Sequence, residues 1–487
     1  MKKTPSLFIA LLPVLFLVAL LSINVIGVYG DDALAGSNQF ILLLSGAFAA
    51  IVGITQGFSF NEILKGIEKS VKSTTGAILI LLLIGSLSGT WMISGVVPAM
   101  IYYGLQILSP EIFLPAAAII CALVSLATGS SWSTTATVGI ALVGIGKAIG
   151  MSEAMVAGSV ISGAYFGDKI SPLSDTTNLA PAMAGTDLFT HIRYMMYTTV
   201  PSFTIALIVF IILSLNLETS GDVNNIQPVL TELENMFNLS PWLFLVPLLV
   251  IALIVAKIPA LPAILAGTLA GALFAPLFQQ ELLLSIAGTE QLSWLQTYKI
   301  IMDSLTVSMS YPSENPVLND LLSSGGMYGM LGTVWLILSA MVFGGVMEAC
   351  GFLAVISNAL LKLAKGTASL IATTAGTCVF INVSASDQYL ALVIPGRMYA
   401  DAYRKRGLAP ENLSRTLEDS GTVTSVLVPW NTCGAYQSGV LGVSTFAYLP
   451  YAVFNYLSPL MTLTFAIFNI KIRRLLSSSV EPKVATT

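Results

Sequence analysis

The chain has 487 residues, of which 55% are apolar and 9% are charged, and its mean hydropathy is +0.84. These values exclude an ordinary soluble domain, whereas the formal net charge of −4 says little, because topology depends on where the basic residues fall. Apolar runs that reach or approach the length of a membrane span recur along the chain, at 7–26, 40–57, 78–93, 195–213, 243–255 and 446–470. These runs do not alternate as barrel strands do, so we predict an all-α polytopic membrane protein.

The positions of the basic residues predict the orientation in the membrane, because Lys and Arg concentrate on cytoplasmic loops. Two lysines near the start, the basic loop 62–72 and the basic clusters 404–406 and 471–474 are expected inside. Residues 217–240 contain four acids and no Lys or Arg, so this linker is expected outside. We therefore predict cytoplasmic termini and four parts: a first inverted repeat at 1–216, an extracytoplasmic linker at 217–240, a second inverted repeat at 241–475 and a cytoplasmic tail at 476–487.

Weak but consistent matches between the halves indicate an internal duplication. At offsets of 256 to 258, Gly89 falls on Gly345, Ser130 on Ser386, Thr176 on Thr432, Pro172 on Pro429 and Ser162 on Ser420. Nearer the start the offset is 234, and an insertion in the outer loop around 302–325 would explain the difference. Matching loops carry opposite charge signatures, so the repeats are predicted to be inverted, with about ten full crossings plus two re-entrant hairpins and broken helices. This architecture is typical of secondary transporters.

Two hairpins are expected at matching places in the halves. The first hairpin, 112–148, should enter from outside and turn at "TGSSWSTT" (128–135). The second hairpin, 367–402, should enter from inside and turn at "NVSASD" (382–387).

A broken helix is expected after each hairpin. The first broken helix contains "GDKISPLSDTTNLAP" (167–181), where Pro172 removes a helix donor, and the second contains "LVPWNTCG" (427–434). Asp175 and Asn431 correspond at offset 256 in this alignment. Irregular backbone at membrane depth survives only where it is buried in protein or lines a wet cavity, so a binding site is expected here. A plain loop at the inner surface is the alternative for the first break.

Ionisable residues at membrane depth cost roughly 2.5–3.5 kcal/mol each on insertion scales and indicate functional sites by default. Five acids meet this description: Asp168, Asp175, Glu348, Asp387 and Asp419. Glu348 could equally be a membrane-interface acid or a structural partner of a Lys or Arg, and Glu418 is expected to be the solvated neighbour of Asp419. His191, the single histidine, is expected at the membrane interface.

Oxygen ligands surround these acids in the sequence, as a small hard cation requires. The predicted ion- or substrate-binding residues are Ser130, Ser131, Asp168, Ser171, Asp175, Thr176, Thr177, Asn178, Ser386, Asp387, Asp419, Thr422, Asn431 and Thr432. Na⁺ is expected at Asp175, Thr176 and Asn431, with freed backbone carbonyls completing its shell. Glu348, Lys169 and Arg397 are candidates for proton or substrate coupling. A carboxylate that holds either a cation or a proton, exposed alternately to each side, is sufficient for antiport.

Two long motifs resemble a known family. "ISGAYFGDKISPLSDTTNLAPAMAGTDLFTHIRYM" (161–195) and "NVSASDQYLALVIPGRMYADAYRKRGLAPENLSRTLEDSGTVTSVLVPWNTCGAY" (382–436) are similar to blocks of NhaC-type sodium/proton antiporters. The resemblance covers most of the chain and implies a multi-pass protein of the bacterial inner (cytoplasmic) membrane within the ion-transporter superfamily. It implies no cofactor, and it leaves the substrate open, because the family also contains exchangers that couple sodium and protons to malate and lactate.

The main hypothesis is therefore a Na⁺/H⁺ antiporter, and the alternative is a sodium- and proton-coupled exchanger of small organic anions. Arg397 or Lys169 in the central site would favour the organic-anion exchanger. An enzyme is not expected: "YFGD" lacks the first glycine of the G-x-G-D intramembrane protease motif, and no G-x-x-x-x-G-K-[ST] sequence supplies a nucleotide site. The expected partners are sodium, protons and the lipid bilayer, with no nucleic acid; a small carboxylate substrate and a homodimer stay open.

Overall fold

The computed structural model describes residues 5–29, 33, 36–107, 109–216, 226–311 and 322–475. Several sequence predictions lie outside these residues. They include the two N-terminal lysines, the first part of the linker, most of the outer-loop insertion and the whole tail 476–487.

The described residues confirm an all-α membrane protein. The first-half α-helices are Leu7–Ser22, Ser37–Thr55, Phe60–Ser73, Thr75–Ile93, Val96–Ile107, Phe113–Thr128, Ser131–Thr134, Ile140–Ala148, Glu153–Ile170, Asp175–Ala184 and Leu188–Asn216. Those that follow are Ile226–Met236, Leu245–Val255, Ala260–Phe278, Gln280–Ala287, Trp294–Thr306, Gly326–Gly329, Leu331–Ala349, Phe352–Leu361, Thr367–Ser384, Gln388–Lys405, Pro410–Leu417, Thr432–Leu441, Thr445–Tyr448 and Val453–Ile467. The described strands, Met309–Ser310 and Ser323–Ser324, form one short antiparallel pair.

Within the described residues, eight helices are long and apolar enough to cross a membrane: Leu7–Tyr29, Ser37–Thr55, Thr75–Ile93, Pro110–Thr128, Leu188–Asn216, Ala260–Phe278, Gly326–Ala349 and Thr367–Ser384. A ninth is obtained if Gln227–Met236 and Pro241–Val255, which meet at 87°, count as one span. Two of the eight are the entering arms of the expected hairpins. Length and composition therefore identify fewer full crossings than the roughly ten expected, because several apolar helices are shorter than a span or broken.

Helix boundaries repeat between the halves at the predicted offsets. Thr75–Ile93 and Leu331–Ala349 are both 19 residues long, and 331 − 75 gives 256. Phe60–Ser73 and Trp294–Thr306 each begin with a capping box, formed by Ser59 with Glu62 and by Ser293 with Gln296, so the caps differ by 234. These coincidences support a duplication. The inverted orientation and the four-part division stay predictions, because helix boundaries alone carry no orientation.

Both hairpins turn inside the predicted motifs. In the first hairpin, Phe113–Thr128 ends at Gly129, which has a left-handed φ of 70°, and Ser130 caps the next helix by accepting a bond from the Ser133 N–H. The second hairpin turns after Thr367–Ser384, and Asp387 caps its second arm. These short turns bring the two capping side chains to the tips of the hairpins.

Both helices break where the sequence predicts. In the first broken helix, Ser174 caps the second segment, Asp175–Ala184, and in the second broken helix Asn431 caps Thr432–Leu441. Both second segments contain ten residues, and their caps differ by 257. Ser174, not Asp175, is therefore the structural counterpart of Asn431. The predicted alignment was wrong by one residue here, because it matched residue types and not cap positions.

Close helix packing positions the first break beside the first hairpin. A Cβ on Gly163 would lie 2.0 Å from the Ala118 carbonyl oxygen, and one on Gly167 would lie 2.2 Å from that of Ala122. Only glycine permits this approach between the first broken helix and the first hairpin. As a result, the end of that helix, with Asp168, lies against the hairpin turn.

Candidate ion-binding site

A cavity of about 660 Å³ lies beside both hairpin turns and the first break. Its polar lining is contributed by Ser73, Thr128, Ser130, Ser133, Asp168, Asp175, Lys257 and Gln388, together with the rings of Trp132 and Tyr389. Other lining residues, at 254–260 and 76–80, adjoin loops that the basic residues place on the cytoplasmic side. The cavity thus connects the break with the predicted inner face.

Asp168 is the predicted acid most firmly held in this cavity. It is 7% exposed, and its Oδ2 atom accepts bonds from the Ser131 backbone N–H at 3.1 Å and the Ser131 hydroxyl at 2.7 Å. Its Oδ1 atom is buried and has no hydrogen-bond donor among the described residues. One oxygen is therefore fixed by the first hairpin, and the other is free to bind a proton or a cation.

The three residues predicted to bind Na⁺ do not share one ligand set. Asp175 is exposed, and its carboxylate accepts bonds from its neighbour's backbone N–H at 2.8 Å and from the Tyr389 hydroxyl. Thr176 donates to Glu418 at 3.1 Å. Asn431 uses its Oδ1 atom to accept the Cys433 backbone N–H at 3.0 Å, as an N-cap requires. Helix capping occupies the amide oxygen that the sequence assigned to sodium.

Side chains also satisfy the backbone carbonyls that the first break releases. Thr177 donates its hydroxyl to the carbonyls of Asp168 and Lys169, at 3.2 and 3.0 Å. Asn178 donates to the carbonyls of Pro172 and Ser174, whereas Ser171 donates to the Leu126 carbonyl on the first arm of the first hairpin. Two predicted ligands therefore stabilise the broken backbone, and the third joins it to the hairpin.

Asp419 forms a fully buried ion pair with Lys169, which joins the two broken helices. The same Asp419 oxygen lies 3.3 Å from the Ser458 hydroxyl, and its other oxygen accepts bonds from Thr198 at 2.8 Å and from Thr462. Both oxygens are occupied, and the lysine neutralises the charge. This arrangement leaves Asp419 no free oxygen for a transported cation.

Glu418 was wrongly expected to be solvated. It is fully buried at the start of the π-helical turn Glu418–Thr422, where the second broken helix becomes irregular. One of its oxygens accepts the Thr176 hydroxyl of the first broken helix, and the other is buried without a partner in the described chain. The Thr422 hydroxyl is likewise buried and unpartnered. The sequence offered one signal for this acid, its position in the same short stretch as Asp419.

The second hairpin turn is held by its own network. Asn431 donates its amide to the Asn382 carbonyl at 3.1 Å, and the Thr432 backbone N–H donates to the Ser386 carbonyl at 3.0 Å. Asp387 accepts the Leu390 backbone N–H at 2.9 Å. Ser386 has a left-handed φ of 61° and an unpartnered, buried hydroxyl. These predicted ligands mainly join the turn to the second break.

Two predicted coupling residues lie outside the cavity. Glu348 forms an ion pair with the exposed Lys69 at 2.6 Å, which matches its alternative role as a structural partner of a lysine. Arg397 is exposed on Gln388–Lys405 and does not line the cavity. The third predicted coupling residue, Lys169, is buried and forms an ion pair with Asp419. Within the described residues, no group of three or more His, Cys, Asp or Glu side chains could hold a metal ion, so a bound Na⁺ would rely on mixed side-chain oxygens.

Comparison with known proteins identifies related chains. Residues 163–470 match the family described as the Na⁺/H⁺ antiporter family. The chain is 36% identical to the Na⁺/H⁺ antiporter NhaC of Alkalihalophilus pseudofirmus over 87% of this chain and 88% of that protein. It is 35% identical to the malate-2H⁺/Na⁺-lactate antiporter of Bacillus subtilis over 85% of each chain. It is also 33% identical to the arginine/ornithine antiporter ArcD of Halobacterium salinarum over 94% of this chain and 91% of that protein.

A solved structure of MtrF from Neisseria gonorrhoeae, which its authors place in a class of antimetabolite efflux pumps, covers 95% of both chains at 14% identity. Its TM-score of 0.38 is too low to support a conclusion.

Proposed function

The chain belongs to the Na⁺/H⁺ antiporter family, and we propose that it exchanges Na⁺ for H⁺ across the cytoplasmic membrane, with both termini inside. The related proteins are transporters, and their names describe exchange without covalent chemistry on a substrate. We propose the same class for this chain, with no cofactor beyond the transported ions.

The observation that carries the proposal is the pair of buried carboxylates with free oxygens. Asp168 and Glu418 come from the two broken helices, and each keeps one oxygen without a donor among the described residues. Lys169, which follows Asp168 in the chain, forms its ion pair with Asp419 and with neither of these acids. A carboxylate in this environment needs a proton or a cation, because an uncompensated buried charge costs several kcal/mol.

Exchange follows from competition at these two acids. When Na⁺ enters, carboxylate oxygens and the nearby hydroxyls of Thr176 and Thr422 can replace part of its water shell. The proton that leaves Asp168 then departs through the cavity that this residue lines. When Na⁺ leaves on the other side, protons must return before the site can be neutral again. This cycle links the two ions without a chemical energy source.

The cavity supports an inward-facing arrangement of the site. Its lining residues Ser73 and Lys257 adjoin loops assigned to the cytoplasm by their lysines. The Trp132 ring, part of the cavity lining, stacks on the buried Tyr436 ring with centroids 3.9 Å apart. We propose that Na⁺ exchanges with the cytoplasm in this state, and that the aromatic stack separates the site from the outside.

Exchange of small organic anions is the second candidate, supported by the malate-2H⁺/Na⁺-lactate relative. Two contacts argue against the exchange of organic anions. Lys169 is buried in its ion pair with Asp419, and Arg397 is exposed and does not line the cavity. Lys257 is the one basic side chain among the cavity-lining residues, which also include two carboxylates. A cavity with this charge favours a cation over an organic anion.

Purified protein in liposomes with a trapped pH dye tests the proposal. Addition of Na⁺ outside should raise the internal pH, and Asp168→Asn should abolish the response. Asp401→Asn is the matched control, because Asp401 is an exposed acid whose side chain is 76% accessible. A response that requires malate or lactate would favour the organic-anion exchanger. No Na⁺ response in the wild type, or an unchanged response in Asp168→Asn, would contradict the proposed site or function.

The Glu418→Gln variant tests the role of Glu418 separately from that of Asp168. The glutamine keeps an oxygen for the Thr176 hydroxyl but can neither bind a proton nor supply charge to a cation. We expect this variant to lose the Na⁺-driven pH change, while Glu418→Asp keeps part of it. Full activity of Glu418→Gln would remove this residue from the site and leave Asp168 as the single exchanging acid.

A further inference from the structure

A buried arginine without a hydrogen-bond acceptor lies on the second broken helix. Arg415 is 0% exposed, and none of its three guanidinium nitrogens has a partner among the described residues. Its guanidinium carbon lies 4.6 Å from the centroid of the Tyr194 ring and 5.8 Å from that of Phe465. The sequence alone predicts no role for this residue, because the nearby basic cluster 404–406 indicates a cytoplasmic loop.

The surrounding rings do not account for this charge. A cation–π contact replaces only part of the hydration that a guanidinium loses when it is buried. The guanidinium also carries five N–H donors, and ring faces satisfy them poorly. A charge and several donors therefore stay uncompensated.

The neighbouring acids are engaged elsewhere. Asp419, one turn further along, is saturated by Lys169 and hydroxyl groups, and Glu411, one turn earlier, pairs with Arg473 at 2.7 Å. Glu418 turns toward Thr176 of the first broken helix. None of the ion pairs formed by described residues includes Arg415. Within the described part of the chain, the positive charge therefore has no counter-charge in contact.

A second unpartnered group faces the same region. His191 is fully buried, contrary to its expected interfacial position, and its Nδ1 atom lies 2.8 Å from the hydroxyl of Ser414, the residue before Arg415. The Ser414 hydroxyl lies 3.3 Å from the Glu411 carbonyl and closer, at 2.8 Å, to His191 Nδ1, so we assign its proton to the shorter contact; this tautomer leaves a proton on Nε2, which has no acceptor in the described chain. His191 also precedes Tyr194 by one helical turn, so it lies on the helix face that contacts Arg415.

The segment 471–475 closes this region on its predicted cytoplasmic side. The Tyr194 hydroxyl donates to the Lys471 carbonyl, the Ala409 backbone N–H donates to the Arg473 carbonyl at 3.0 Å, and the Leu475 backbone N–H donates to the Gly407 carbonyl at 2.8 Å. The hydrogen bond with Glu411 raises the pKa of Arg473. Opening of the segment would give an ion from the cytoplasm access to Arg415.

We propose that Arg415 and His191 form a binding site for a small monovalent inorganic anion such as chloride. One uncompensated positive charge requires one negative charge, which a small monovalent anion supplies. Neither Arg415 nor His191 lines the cavity at Asp168. It does not depend on the proposed Na⁺/H⁺ exchange.

Thermal unfolding of the full-length protein in detergent tests the site without Na⁺. The wild type should melt about 2–4 °C higher in potassium chloride than in potassium gluconate of equal ionic strength, because a ligand that binds the folded state stabilises it. Arg415→Gln should lose this difference. Arg397→Gln, which changes an exposed arginine on a neighbouring helix, should keep it.

A second variant covers the case in which Arg415→Gln does not fold. His191→Asn removes the Nε2 donor and keeps the guanidinium, so at least about tenfold more chloride should be needed for the same stabilisation. Equal melting of the wild type in chloride and gluconate would overturn the proposal. A chloride effect that persists in Arg415→Gln, or an unchanged chloride requirement in His191→Asn, would overturn it as well.

Discussion

Replacement of either partner in the Lys169–Asp419 pair should destabilise the protein, and the loss in free energy of unfolding should differ between the two replacements. Removing one member of a buried pair costs about 3–5 kcal/mol, because an uncompensated charge stays behind. Lys169→Met leaves Asp419 with three hydroxyl donors, from Ser458, Thr198 and Thr462. Such bonds to a charged group contribute about 1.5–3 kcal/mol each, so this variant should fall near 3 kcal/mol.

Asp419→Leu should cost more, near 5 kcal/mol, because the ammonium group keeps poorer partners. Lys169 then retains the Ser458 hydroxyl at 2.8 Å and a Phe454 ring centroid at 5.5 Å. The double variant removes both charges, so it should be more stable than Asp419→Leu alone. This order of stabilities depends on the donor count around each charge.

Unfolding by SDS in mixed micelles, followed by tryptophan fluorescence, measures the three variants. A double-mutant cycle on the Lys69–Glu348 pair at the protein surface is the control. Its coupling energy should be at most about 1 kcal/mol. If the stability lost in the double variant equals the sum of the losses in the two single variants, the reasoning is refuted, because the two charges then do not compensate each other. If Lys169→Met destabilises the protein more than Asp419→Leu does, the role assigned to the hydroxyl donors is refuted.

Three further predictions follow from individual contacts. Ser131→Ala removes the 2.7 Å hydroxyl bond to Asp168 and should raise the Na⁺ concentration for half-maximal exchange about tenfold in the liposome assay. Gly163→Ala would place a methyl group 2.0 Å from a backbone carbonyl of the first hairpin and should cost about 1–3 kcal/mol in the SDS assay, whereas Gly376→Ala, with open space around it, should be neutral. Glu348→Gln should leave Na⁺-driven pH changes within twofold of wild type, and a larger loss would restore its coupling role.

The sequence predicted the irregular backbone well, because local signals specify it. Gly129, Pro172 and the capping residues Ser130, Ser174 and Asn431 mark turns and breaks by their own chemistry. The long apolar runs likewise indicated membrane helices, although length alone does not separate full crossings from hairpin arms. These features depend on neighbours in the chain, so one sequence is enough to locate them.

The partners of buried polar groups could not be predicted in the same way. Whether Asp419 or Glu418 points at Lys169 depends on the rotation of an irregular turn, which the π-helical segment changes. Asn431 was assigned to sodium because amide oxygens bind cations, yet the helix start requires the same oxygen. Tertiary packing decides which of two neighbouring polar side chains contacts a given partner.

The occupied carbonyls at the first break have a consequence for ion selectivity. Thr177 and Asn178 bond the carbonyl groups that the break releases, so a ring of fixed backbone oxygens is not presented to the cation. Fixed oxygen rings impose their own spacing on an ion, whereas carboxylate and hydroxyl side chains adjust to its radius. A site built from Asp168, Glu418 and hydroxyl groups should therefore accept lithium almost as readily as sodium.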